Sequence, residues 1–358
     1  IESSMNKTDN YLDKHRPLYL IILVTVFFPY VTFYSFGTDI QPWNILYVTL
    51  FTAIMLISNT KISKSLIFLF LPVLYALFLF VLSVNKFDGL RSFLGYFTIA
   101  FVPFVTLYIL ERKYQLFVRI LKISTIIYMI VGIIQMIYKA DFLISILGRL
   151  RTTLGRGFTS LSPEPTAYGL ICIFLLLIFL TLTIENKKKY IYMLLFQIVF
   201  IAQSSMTILF LLIFFFYKLL FKMNIKIVFV SILSVIVFIL LYDSLLSFNS
   251  RSMIMLNSAI NSPTDIVYRD QSINDRASAI YFSIKGFIDN YFIGNGFSKY
   301  AEYLNNELPK QTYFWYVSTS NRIMSYYGSI LFELGFIGLL IPFTYSAIIF
   351  QAYKRNLK

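Results

Sequence analysis

Long apolar runs separated by short charged stretches set the pattern of this chain. Runs long enough to cross, or nearly cross, a bilayer fall at about 18–36, 43–58, 65–84, 92–110, 117–138, 165–184, 190–202, 204–217, 227–242 and 323–350, which predicts about ten transmembrane helices. The runs at 190–202 and 204–217 are short and meet at the tight turn Gln203-Ser204-Ser205, so one kinked hairpin is the alternative there. The expected class is all-α, a single polytopic membrane domain over residues 5–358. Residues 1–4 are set aside as an added remnant ahead of an initiating Met5.

Two segments between the runs are large: 139–164, leading into a helix, and 243–322. Within the second, Asn274 has the character of an N-cap, with Asp275 in the first turn. Ala277, Ile280, Tyr281, Ile284, Phe287 and Ile288 then repeat at helical spacing and give one apolar face, suited to hugging a membrane or packing into a core. Gly294-Asn295-Gly296-Phe297 reads as a flexible turn where backbone can approach a neighbour closely.

Composition agrees with the pattern. At 58% hydrophobic, 19% aromatic and 13% charged residues, there is too little polar surface to coat a soluble globule of 358 residues. The net charge of +14 reads as a topology signal. Lysines and arginines gather at both ends and in the short loops of one side, as in Lys61 and Lys64, Arg112, Lys113, Arg119 and Lys122, and Lys187-Lys188-Lys189. The positive-inside rule then puts both termini in the cytoplasm and the two large segments outside; attraction to anionic lipid follows, and nucleic acid is not implied. Cys172 falls inside a predicted run and His15 in the N-terminal tail, which argues against a disulfide framework, a thiol metal site or histidine chemistry. No metal or cofactor is expected.

Three arginines run against that charge rule. Arg149, Arg151 and Arg156 crowd the outer approach to Ser162-Pro163-Glu164-Pro165-Thr166, where Pro165 is pre-shaped for a first helical turn. Free N–H groups and the helix dipole favour an anion at such a terminus, with phosphate the natural candidate. Salt bridges to the long outer segment are the alternative use of these arginines. Glu333 is the only acidic residue inside a predicted run; a structural ion pair and a catalytic role are both open for it.

These residues resemble the Wzy-type O-antigen and exopolysaccharide polymerases, which share a superfamily with the O-antigen ligases. The local marks are Gly132-Ile-Ile-Gln135, Ser162-Pro163-Glu164-Pro165-Thr166, Asn274-Asp275-Arg276 followed by Gly294-Asn295-Gly296-Phe297, and the stretch from Ser329 through Glu333 and Gly335 to Gly338. Where the ligases place a histidine, this chain reads Ser318-Thr-Ser-Asn321-Arg322, which favours a polymerase. The resemblance implies a metal-independent GT-C-type glycosyltransferase of the bacterial inner membrane, working on its outer face. It would move a growing glycan from undecaprenyl pyrophosphate to the sugar of an incoming lipid-linked repeat unit, in company with a chain-length regulator and a flippase. On this reading Arg156 and Arg276 bind the pyrophosphate and Glu164 takes the acceptor proton or orients an arginine. Arg149, Arg151, Ser162, Thr166, Asn274, Asn295, Asn321, Arg322 and Glu333 support substrate binding. The rivals are a ligase of the same fold and a non-enzymatic flippase of lipid-linked oligosaccharide.

Overall fold

The computed structural model describes residues 16–31, 43–57, 64–143, 157–221, 271–312 and 322–356, with separate positions at 254, 257–258, 260–262, 315 and 317. The expected span at 227–242, the arginines Arg149, Arg151 and Arg156, and Asn321 lie outside the described residues. In chain order the helices are α1 Arg16–Phe27, α2 Trp43–Ile57, α3 Lys64–Leu82, α4 Lys86–Arg112, α5 Tyr114–Ile137, α6 Pro165–Thr181, α7 Lys187–Phe196, α8 Ser205–Phe221, α9 Gln271–Asp289, α10 Tyr300–Glu307, α11 Tyr326–Ser329 and α12 Leu340–Asn356. Among the described residues there is no strand beyond an isolated antiparallel bridge between Ile293 and Gly335, so the class is all-α.

Among the described residues, two helices are long and apolar enough to cross a membrane: α4, with 27 residues, and α5, with 24. At a rise of about 1.5 Å per residue, either exceeds a hydrocarbon core of about 30 Å. The other apolar helices have continuous apolar stretches of 10–17 residues. The predicted ten crossings are therefore matched in length by two among the described residues.

Local chemistry explains where the runs break. The run from 18 ends its helix at Phe27, two residues before Pro29, and the freed carbonyl of Phe27 accepts from the Tyr128 hydroxyl at 2.9 Å. Asn85 opens α4: its Oδ1 accepts from the N–H groups of Phe87 and Asp88 at 3.1 and 3.3 Å, while its amide donates to Asp88 Oδ2 at 2.9 Å. The neighbouring Lys86 ammonium donates back to Val81 O at the end of α3, at 2.6 Å. Arg119 and Lys122, counted with the short basic loops although the predicted run 117–138 covers them, lie in the first turns of α5. Lys122 places its ammonium 5.6 Å from the Tyr190 ring centroid, a favourable stack that satisfies a charge on an apolar helix. At 203 the chain turns through a left-handed Gln203 (φ 45°), so α7 and α8 are separate helices.

The chain forms two compact units, one of residues 1–11, 45–108 and 262–358 and the other of residues 12–44 and 109–261. In the second, α6 packs against α7 and α8, and α1 against α5; the stacked rings of Tyr128 and Tyr168 (5.9 Å) and of Phe179 and Tyr190 (5.1 Å) fill its interior. In the first, α3 lies along α12, and Phe282, Tyr300, Leu304 and Phe332 make a buried cluster under α9 and α10.

The run at 323–350 is not one helix. After α11 the backbone widens to a π turn over Ile330–Leu334, reverses at Gly335 (φ +62°), tightens to a 3-10 turn over Phe336–Leu339 and only then enters α12. A helix that widens in this way releases carbonyl groups from its ladder, and a buried carbonyl needs a new donor.

Candidate functional site

The Ser-Pro-Glu-Pro loop is held from below by one side chain. Gln135, near the end of α5 and almost fully buried, donates through its amide to Phe142 O and Ser160 O, each at 3.0 Å. Its Oε1 accepts from Ser160 N at 2.7 Å and Thr159 Oγ1 at 3.4 Å. The Ser160 hydroxyl donates to Tyr128 O at 2.7 Å, and Ser160 itself sits at φ 49°. Upstream, Phe158 N donates to Ile201 O at 2.8 Å, and a Cβ on Gly157 would come 2.0 Å from Ala202 O. Both carbonyls belong to the π turn Gln197–Ala202 that extends α7. A lateral tie adds to this: the Tyr168 hydroxyl donates to Gln197 Oε1 at 2.9 Å.

The loop therefore delivers Glu164 at a fixed place. It is the N-cap of α6, in extended conformation (φ −149°, ψ 154°), with Pro165 at the first helical position. Its side chain makes no capping bond and has no hydrogen-bond or ion-pair partner among the described residues. It is half-buried. A carboxylate left uncommitted at the head of a pinned helix is available to a ligand. Ser162 is fully buried, and its hydroxyl has no partner among the described residues. Thr166 accepts from the Ser204 hydroxyl at 3.2 Å, linking the heads of α6 and α8.

Glu333, in the other unit, is committed. It lies buried in the π turn, with Oε1 accepting from Ser92 Oγ at 2.9 Å and Oε2 from the Tyr96 hydroxyl at 2.6 Å, both on α4. Two hydroxyl donors on one helix face, a turn apart, solvate a carboxylate that water cannot reach. The turn Gly294-Asn295-Gly296 docks on the same π segment. Asn295 N donates to Phe332 O at 2.6 Å and Gly296 N to Glu333 O at 3.2 Å, which are the carbonyls the widened helix releases. The Asn295 amide donates to Gly286 O of α9 at 3.0 Å. A Cβ on Gly294 would meet Glu333 O at 2.2 Å, so glycine is required there by contact. Asn295 is thus used internally as a clip between α9 and the π turn.

At the start of α9 the structure gathers charge. The helix begins at Gln271, so Asn274 is in its first turn and fully buried, where the sequence reading made it the cap. The next residue, Asp275, has its pKa raised by desolvation, while the guanidinium groups of Arg276 and Arg322 act in the opposite direction. Two arginines 46 positions apart in sequence thereby share one carboxylate's field. Arg276 is half-buried and Arg322 exposed. Further along α9, Lys285 binds Glu307 of α10, which also accepts from Lys310 at 2.6 Å. The hydrogen bonds of the two lysines hold the Glu307 carboxylate below its usual range, and the Glu307 bond lifts Lys285 above its own.

Of the predicted site residues, Asn274, Asn295, Arg276, Arg322 and Glu333 belong to one unit and Ser162, Glu164 and Thr166 to the other. Arg276 and Arg322 both act on the Asp275 carboxylate. Ser92, Tyr96 and Gln197 escaped the sequence reading because a hydroxyl or amide on an apolar helix carries no pattern that singles it out. Their only signal was being polar at a turn's spacing, as with Ser92 and Tyr96.

No curated protein and no solved structure matches the chain. A family model does: residues 190–343, running from α7 to the head of α12 and including Asn274, Arg276, Asn295, Asn321, Arg322 and Glu333, match Wzy_C, the O-antigen ligase family. That family is membrane-associated in bacteria, acts on lipid-linked O-antigen oligosaccharides and includes glycosyltransferase-like polymerases and ligases. This match, over a little under half of the chain, supports an O-antigen polymerase/ligase superfamily member.

Proposed function

We propose that this member is the polymerase: it moves a growing glycan from undecaprenyl pyrophosphate to the terminal sugar hydroxyl of an incoming lipid-linked repeat unit, at the outer face of the inner membrane. What supports the reading is that Arg276 and Arg322, far apart in sequence, both act electrostatically on Asp275 at the head of α9. Guanidinium groups bind phosphate oxygens bidentately and stay protonated at any working pH. The reaction needs such a clamp. The acceptor hydroxyl oxygen forms a bond to the donor's anomeric carbon, the bond from that carbon to the diphosphate oxygen breaks with its electron pair, and negative charge grows on the leaving diphosphate. Arg156, Arg149 and Arg151 are assigned to the same diphosphate.

Glu164 is assigned the hydroxyl proton in this scheme on the resemblance, and its carboxylate has no partner among the described residues. Ser162, Thr166, Asn274 and Asn321 line the substrate path. The absence of histidine from Ser318-Thr-Ser-Asn321-Arg322 favours polymerase over ligase.

Purified protein in lipid vesicles, given lipid-linked repeat units and no lipid A-core, is expected to make a ladder of chain lengths. A ligase makes no ladder from these units and only transfers a repeat unit to lipid A-core once that acceptor is added. Glu164→Gln is expected to slow chain growth by about 100-fold, the low end of general-base contributions. Arg276→Lys should slow it by about tenfold or more, since an ammonium cannot replace a bidentate fork. Wild-type rates in both variants would remove the assignment.

A further inference from the structure

Helix α9 is packed with its polarity reversed. The face it turns toward the protein is small and polar: Asn274, Ser278, Ala279, Ser283 and Gly286 are buried there, with Phe282 as the one large ring. The face it turns outward is apolar. Ile280, Ile284 and Ile288, one helical turn apart, are 47%, 41% and 54% exposed. In a water-soluble domain an amphipathic helix faces the other way. Small residues inward and branched aliphatics outward is the arrangement of a helix whose solvent is hydrocarbon, where close backbone approach does the packing.

The outward stripe does not stop at the end of α9. It continues into Phe292, 56% exposed, whose carbonyl accepts from Phe336 N at 3.1 Å beside the Ile293–Gly335 bridge. Phe336 is itself 67% exposed and begins the apolar stretch that leads along α12 to Phe343, also outward. Exposed apolar side chains thus recur from α9 through Phe292 to Phe336 and Phe343 on an apolar helix of the same unit.

We infer that the Ile280–Ile284–Ile288 face of α9 is inserted in the bilayer, lying at the boundary between headgroups and acyl chains. Its occupant is lipid. The conclusion stands without the polymerase reading. Where that reading also holds, the Asp275–Arg276–Arg322 cluster at the head of α9 sits at the depth of lipid phosphates, the level at which a lipid-linked diphosphate presents itself.

Full-length protein carrying a spin label at Ile280→Cys, Ile284→Cys or Ile288→Cys is reconstituted in phosphatidylethanolamine–phosphatidylglycerol vesicles. Asn306→Cys, on the exposed side of α10, serves as the aqueous reference. Native Cys172 is buried and does not compete for label. The three α9 labels are expected to be open to oxygen and about tenfold less accessible than Asn306→Cys to a water-soluble nickel chelate, at a depth of about 5–10 Å below the phosphates. Two results overturn the inference. Nickel accessibility equal to the reference means the face is in water; protection from both nickel and oxygen means protein covers it, whether another part of this chain or a second copy. Should the cysteine variants fail to fold, the unlabelled Trp43→Phe chain answers the same question. Trp315, stacked on Tyr281 at 5.5 Å, is then the remaining tryptophan, and bromine on shallow acyl positions should quench its emission; absence of quenching has the same overturning force.

Discussion

A carboxylate or amide shut away from water keeps its place only when protein groups replace every lost hydrogen bond. Glu333 has both oxygens occupied by hydroxyls of α4, so removing its acceptors strands two buried donors. Glu333→Leu is expected to destabilise the protein by about 2–4 kcal/mol, and Glu333→Gln by clearly less because one acceptor oxygen remains. Chemical denaturation in detergent, followed by tryptophan emission, separates the two. If Leu and Gln cost the same, the carboxylate is not the clamp described. Gln135 makes four hydrogen bonds, one with Phe142 and three with Thr159 and Ser160. Gln135→Leu should cost a similar amount and also slow transfer, because Glu164 loses its fixed seat. The importance of a polar position in the fifth run was legible from Gln135's place beside Gly132; its partners were not. They come from 7, 24 and 25 residues away, separations that no periodicity reports.

Among the elements, α9 and α10 are joined by a charge cluster whose pH dependence has a definite sign. Glu307 has its pKa lowered in the fold by Lys285 and Lys310. The stability it lends is present above the unfolded value of about 4.3 and is lost as pH falls through the lower folded value. Lys285 is raised by Glu307; its contribution is complete below about 10.4 and is lost as pH rises through the folded value. The α9–α10 join should therefore be flat across neutral pH and weaken at both extremes. The stability difference between wild type and Glu307→Gln should be constant from about pH 6 to 9 and shrink toward zero in acid. A difference that persists below the carboxylate range would mean Glu307 acts by shape. Element boundaries show what a run of apolar letters conceals. The sequence reading expected one helix over 323–350, but the Gly294 turn inserts its N–H groups into that helix and stabilises a π turn in place of a regular one. The apolar letters are the same either way, so only the partner decides.

At the scale of the molecule, α4 and α5 are joined by Lys113 alone and each is long enough to cross a bilayer. Val84 and Lys113 flank α4 and should therefore lie on opposite sides. In cells, Val84→Cys is expected to react with a membrane-impermeant maleimide from outside and Lys113→Cys only after the membrane is opened, as the distribution of lysines predicts. Equal reactivity of both from one side would dismiss α4 as a crossing.

The sequence by itself determined that this is an all-α chain with helices long and apolar enough to cross a membrane, and its motifs pointed to the superfamily that the family match supports, because hydropathy over a run and short motifs are local properties that survive without coordinates. It also offered arginines as candidates for phosphate, since guanidinium chemistry is the same wherever the residue lies. Tertiary structure alone decided which of those groups act on one another: Arg276 and Arg322 on Asp275, Glu333 answered by two hydroxyls, and Glu164 without a partner among the described residues. It decided, too, that the apolar face of α9 looks outward. Periodicity defines a face but not its direction, and that direction follows from which side finds closer packing and complete hydrogen bonding.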